Sequence, residues 1–125
     1  MPTPSQIARL TDIVEAVELI RNELADLTLQ SLESDIRKRW LVERGIEIIS
    51  EASRHLTNEL KSRHREIPWS KVAGIGNVLR HEYEWVAYDV LWRVVHDDLP
   101  PLEEVCREEL AGKHTAERKP DKLAP

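Results

Sequence analysis

The sequence predicts an all-α fold, a four- to five-helix up-and-down bundle. Three observations carry that expectation. Apolar residues recur at three- and four-residue steps along most of the chain. No stretch alternates apolar and polar residues as a half-buried strand does. Neither an internal repeat nor a linker interrupts the 125 residues, which suffice for one domain with a proper core.

The first helix follows the loose MPTP start, with Ser5 as its expected N-cap. Ile7, Leu10, Ile13, Val14, Val17, Ile20 and Leu24 share its inner face. Asp26-Leu27-Thr28 is a break, and Thr28 or Ser31 suits the next cap. A second long helix is expected from about Ser34 to about Leu60. Its inner stripe reads Ile36, Trp40, Gly45, Ile48, Ile49, Ala52 and Leu56. Gly45 costs such a helix about 1 kcal/mol against Ala, so it calls for close approach of another helix. The segment 61–66, KSRHRE, has no apolar residue and reads as a solvated turn.

A third helix opens at Pro68, a residue suited to the first helical position. Trp69, Val72, Ile75 and Leu79 give its buried stripe. Trp85, Val86, Val90, Leu91, Val94 and Val95 suggest a fourth, reaching about His96. Asp97 to Pro101 reads as a turn into a last helix, with Leu102, Val105, Cys106 and Leu110 as its apolar face. The expected domain is residues 1–111, and 112–125 is a polar, aperiodic tail.

Composition narrows the function. Charged residues make up 33% and hydrophobic ones 41%, the balance of an ordinary soluble domain. The lone Cys106 forms no internal disulfide and suits a reducing compartment. No apolar run reaches the roughly 18 residues of a membrane span, and MPTPSQ lacks a signal-peptide core. A cytoplasmic protein without a membrane partner is expected. A net charge of −5 argues against a broadly basic nucleic-acid surface but leaves room for a local basic cleft.

Residues suited to chemistry crowd into one stretch, IPWSKVAGIGNVLRHEY at 67–83. Asn77, Arg80, His81 and Tyr83 stand at the end of its helical stripe. Imidazole titrates near neutrality and serves as acid or base. A guanidinium offers a planar fork to phosphate oxygens. A phenol two residues from the imidazole hydrogen-bonds a phosphate or stacks on a base. The bland alternative is helix capping, since Arg and His near a C-terminus complement the macrodipole. On composition alone capping has the stronger claim.

ERGIEIISEASRHL at 43–56, the 67–83 stretch, and LWRVVHDDLPPL at 91–102 stand in an order and spacing that together carry a resemblance. From about Ile7 to about Leu110 the chain resembles the HepT-like branch of the HEPN helical-bundle ribonucleases. The resemblance implies a homodimer with its cleft between protomers, and metal-independent RNA cleavage by the toxin of a toxin–antitoxin pair. It implies a minimal nucleotidyltransferase as antitoxin partner, with Tyr83 as the residue it adenylylates, and no cofactor. The family signature is an Arg, four to six residues, then His-x-Tyr. His81, Tyr83 and Asn77 match it. The upstream Arg does not, because those spacings fall on Gly76, Ile75 and Gly74.

We expect Arg80 to take over the phosphate task, reaching back over a space left empty by Gly76. Two readings from other classes stand beside the ribonuclease: a catalytically inactive HEPN module that binds or is modified by the nucleotidyltransferase, and a structural helical adaptor. The weaker candidates have ordinary explanations. Arg37-Lys38-Arg39 and Lys61, Arg63 and Arg65 read as solvated; Glu43, Glu47 and Glu51 as an outer helix face; Trp40, Trp69 and Trp92 as core. Trp85 is the tryptophan expected near the cleft. The histidines form no i, i+4 pair and there is no cysteine cluster, so no metal site is expected.

Overall fold

A computed structural model describes residues 2–82 and 87–112, and every regular element among them is helical. Four longer helices form the body: α1 (Pro4–Leu24), α3 (Ile36–Arg54), α5 (Trp69–Glu82) and α7 (Leu99–Leu110). Between them lie the short α2 (Leu29–Glu33), α4 (Asn58–Ser62) and α6 (Tyr88–Arg93). The bundle expectation holds. Tyr83 and Trp85, and the tail beyond Gly112, lie outside the described residues.

α3 is the central element, with α1 on one flank and α5 on the other, and α7 packs on α1. Its closest approaches are made at glycines. A Cβ on Gly45 would stand 2.6 Å from Ile20 Cδ1, so this glycine lets α1 lie close, as its place mid-helix suggested. The fully buried side chains Leu10, Ile13, Ile20, Ile46, Ile49 and Leu102 fill the space between these helices.

Short polar residues start the helices. Thr3 caps α1 by accepting from the Gln6 amide, and Pro4 takes the first turn, so the cap falls two residues before Ser5. Thr28 caps α2, and Asp35 accepts from the Arg37 and Lys38 amides to open α3. Pro68 stands just before α5, where its carbonyl accepts from Lys71 and Val72.

The second long helix does not run unbroken to Leu60. α3 ends at Arg54, and Thr57 caps the new helix α4 through the Leu60 amide. Gln6 holds the corner from α1: its side chain donates to the His55 carbonyl at 2.8 Å and accepts from the Thr57 amide at 3.0 Å. Ile36 and Trp40 leave the expected inner stripe and are 51% and 62% exposed. The inward row is Arg39, Val42, Ile46, Ile49 and Ser53 instead. Arg39 is buried because Glu43 pairs with it and its guanidinium lies 4.4 Å above the Tyr88 ring.

The turn expected at 97–101 is helical as well. α6 passes into a π-helical turn, Val94–Asp98, which joins α7 directly. Pro100 and Pro101 have no N–H to donate to residues four earlier, and the Leu99 amide reaches five back to Val94. Ala111 and Gly112, the latter at φ 73°, close α7 with bonds to Arg107 and Glu109.

The segment 61–66 is not simply solvated. His64 is buried, and its Nε2 lies 2.6 Å from Oε2 of Glu109, itself fully buried on α7. Arg63 grips the same carboxylate through Nε at 3.1 Å and Nη2 at 2.9 Å. Trp69 Nε1 adds a bond to the His64 carbonyl at 3.0 Å, tying the start of α5 to this latch. Burial alone would push the Glu109 carboxyl up, but the hydrogen bonds from Arg63 and His64 outweigh it and hold the carboxyl below its ordinary 4.5.

A carboxyl held low in the fold contributes stability above the unfolded value, and the contribution fades as pH falls through the folded one. The melting temperature is therefore expected to drop as pH is lowered below about 4.5, and Glu109→Gln should flatten that dependence. At neutral pH the same variant should lose about 3 kcal/mol, the usual scale for breaking a buried pair. Calorimetry of both proteins across pH 3–7 checks this.

Candidate active site

The chemistry-bearing residues lie on the last turns of α5. Trp69, Val72, Gly76 and Leu79 face inward, so Asn77, Arg80 and His81 face out, and all three are exposed. Asn77 lies three residues from Arg80 and four from His81, which makes the three side chains neighbours on the helix surface. An amide, a guanidinium and an imidazole thus share one patch of about one helical turn. Tyr83, expected to complete it, lies outside the described residues.

Arg80 borders residues of α1 and α3. It lines a cleft of about 300 Å³ with Arg9 and Asp12 of α1 and Arg44, Glu47 and Glu51 of α3. A hydrogen bond with His55 pulls the Glu51 carboxyl below its ordinary value against some burial, and the charges of Arg54 and Arg80 add to that. His81 stands on the far side of Asn77, turned to solvent. Among the described residues no group of three His, Cys, Asp or Glu side chains comes together as a metal site requires.

The space imagined beside Gly76 is not empty. A Cβ there would meet Ser50 Oγ at 2.6 Å and Ser50 Cβ at 2.7 Å, with the Glu47 backbone at 3.5 Å. Ser50 is buried, donates to the Ala73 carbonyl at 2.7 Å, and accepts from the Gly76 amide at 3.3 Å. Arg54 reaches the same carbonyl through Nη2 at 2.9 Å. Gly76 therefore serves the α3–α5 contact, and Arg80 has no vacancy there to enter.

Sequence reading missed Ser50, Arg9 and Arg44. No local pattern marks a serine that fits opposite a glycine 26 residues later. The two arginines sit on helices whose faces meet only in the folded bundle.

The helical bundle, the exposed His81 and the polar cleft beside Arg80 accompany a family match: the chain belongs to the HepT-like ribonuclease family. It matches that family, described as Ribonuclease HepT-like, over residues 13–109. It is similar to "Probable ribonuclease HepT" of Thermococcus cleftensis, 39% identical over 93 residues, covering 74% of this chain and 84% of that protein. It is also 32% identical over 95 residues to an RNase-named protein of Methanocaldococcus jannaschii, covering 76% of this chain and 87% of that one. No solved structure matches the chain.

The Ser50–Gly76 fit makes an Arg costly at Gly76, one of the three positions on which the signature spacing falls. Gly76→Arg should lower stability by about 1–3 kcal/mol through overpacking and should not raise any RNA cleavage. Ser50→Gly added to it should recover part of the lost melting temperature. Thermal melts of the single and double variants read this, and a fully stable Gly76→Arg protein would contradict the close contact.

Proposed function

We propose that this chain is a metal-independent endoribonuclease and the toxin of a toxin–antitoxin pair. Family membership supports the reaction class, and the Asn77–Arg80–His81 patch supports its location. Cleavage without a metal requires a proton to leave the 2′-OH, a proton to reach the departing 5′-oxygen, and charge on the phosphate to be stabilised. His81 exchanges the proton, Arg80 with its planar fork holds the phosphate, and Asn77 binds RNA between them. Tyr83 contacts RNA and is the adenylylation acceptor for a minimal nucleotidyltransferase antitoxin.

The working unit is a homodimer with the His81 regions facing each other. One His81 on an open helix face serves one proton at a time, and a second copy supplies the separate acid and base. Val78, 39% exposed and one turn before His81, rims an apolar groove of about 630 Å³ between α5, the π turn and α7. That surface is available for the second protomer to cover.

If His81 carries proton transfer, His81→Ala should lose on the order of 10²–10⁴-fold in RNA cleavage while keeping its helical circular-dichroism signal. Growth on inducing wild type and variant reads the toxin role in the same strains. Retained cleavage by the variant would move the chemistry off α5.

Incubation with the cognate nucleotidyltransferase and ATP should raise the mass of the wild-type protein and leave Tyr83→Phe unchanged. Each added AMP brings a negative phosphate and a bulky base to the helix end, where they repel and exclude RNA. Equal modification of the Phe variant would place the acceptor elsewhere.

A second reading has an observation of its own. None of Gly74, Ile75 and Gly76 supplies the family's upstream Arg, and at Gly76 Ser50 leaves no room for one, which favours an inactive module that is bound or modified by the nucleotidyltransferase without cutting RNA. Wild-type protein that takes up AMP and binds the nucleotidyltransferase, yet leaves RNA intact, is its signature.

A further inference from the structure

The cleft beside Arg80 extends beyond any one phosphate. Arg44 of α3 and Arg9 of α1 line it as well. The Arg44 side chain is 71% exposed and spends one N–H on Glu47 at 3.3 Å, so most of its five donors face water. Among the described residues neither Arg9 nor Arg80 is held by a hydrogen bond. Trp40 lies one turn before Arg44 on the same outer face of α3, with Ile36 one turn before that. The Trp40 indole is 62% exposed and so presents its face to solvent.

We propose that the outer face of α3 is a binding track for single-stranded RNA leading to the Asn77–Arg80–His81 patch. Arg80, Arg44 and Arg9 take successive backbone phosphates, and Trp40 stacks on an unpaired base. The proposal rests on the ribonuclease reading and names its substrate class: a strand unpaired for several nucleotides to one side of the cut. Guanidinium groups alone would suit any polyanion. The exposed indole beside them points to nucleobases, since base–aromatic stacking is sequence-tolerant and needs a strand free to splay.

Three carboxylates share the cleft and shape its behaviour. Glu47 is engaged by Arg44, and Glu51 by His55 at 3.0 Å, while Asp12 faces the same space. They limit the net attraction, in keeping with a chain of net charge −5, and make binding depend on contact geometry rather than on bulk field. Glu47 competes with phosphate for Arg44.

The test uses His81→Ala protein, which binds without cutting, and fluorescein-labelled single-stranded RNA of two and eight nucleotides read by anisotropy. On this background Trp40→Ala should erase roughly ten-fold of the affinity gained on lengthening the RNA. Arg44→Ala should lower the slope of log Kd against log salt by about 0.7, one phosphate contact on a single strand. Glu47→Gln should tighten binding by freeing Arg44, a result that a packing role for this face does not produce.

Wild-type protein that cuts RNA, with all three substitutions leaving Kd unchanged, would overturn the track and leave the ribonuclease reading standing. Loss of binding in Trp40→Ala accompanied by a halved mass in light scattering would overturn it in favour of a protein interface. Wild-type protein that neither binds nor cuts RNA would overturn both readings.

Discussion

How closely α5 lies on α3 decides what the site presents, and that distance is set where Gly76 meets Ser50. The serine hydroxyl bridges two helices, donating to the Ala73 carbonyl and accepting from the Gly76 amide. With no side chain between them, the helices meet nearly backbone to side chain at this point. The consequence is rotational as much as translational. With Gly76 facing α3, the hundred-degree step of the helix turns Arg80 toward the cleft and His81 away from the protomer. A larger residue at 76 would have to be accommodated by tilting α5, and the spacing of Arg80 from Arg44 and Arg9 would change with it.

The two ends of α5 are held in different ways. At its start, Trp69 bonds to the His64 carbonyl and thereby joins the buried Arg63–His64–Glu109 latch. Cys106, one turn before Glu109, is sealed in the same region, its thiol pushed up to about 12 by burial, with the Glu109 and Glu103 charges adding. At its far end, the described side chains of α5 from Arg80 onward are exposed. Stability is concentrated at the start of α5. The far end, where the proposed site lies, keeps polar groups that would be costly to bury and that packing would immobilise.

Periodicity made the long helices legible, and the polar exceptions were where it misled. Leu56 and Leu60 continue the spacing of α3 and are both buried, so nothing apolar signals that Thr57 opens a new helix between them. The cap is carried by Thr57 itself and by Gln6, which is distant in sequence. Ile36 and Trp40 mislead in the opposite sense: their apolar side chains suggest an inward place, while Arg39 occupies it. An arginine earns that position only through Glu43 and the Tyr88 ring. His64 is the same lesson, buried because of a carboxylate 45 residues later. The proposed site residues Asn77, Arg80 and His81 can be grouped from sequence because one helix carries them, whereas the cleft that Arg80 lines is assembled from three helices.

An open patch on a helix is a poor catalyst by itself. In water a guanidinium gains little on binding phosphate, because water competes for both partners and screens their charge. The same pair gains more when a second surface excludes that water and fixes its dipoles in advance. The outer face of α5 leaves room for such a surface. Gly74 stands one turn before Val78 and seven residues before His81, and a Cβ added there would meet nothing within 4 Å. The proposed second protomer could therefore approach the α5 backbone closely beside its imidazole without displacing a side chain. On this view the exposed site of the single chain is half of an enclosed one, and RNA entering along α3 would pass from an open track into the covered space where its bond is cut.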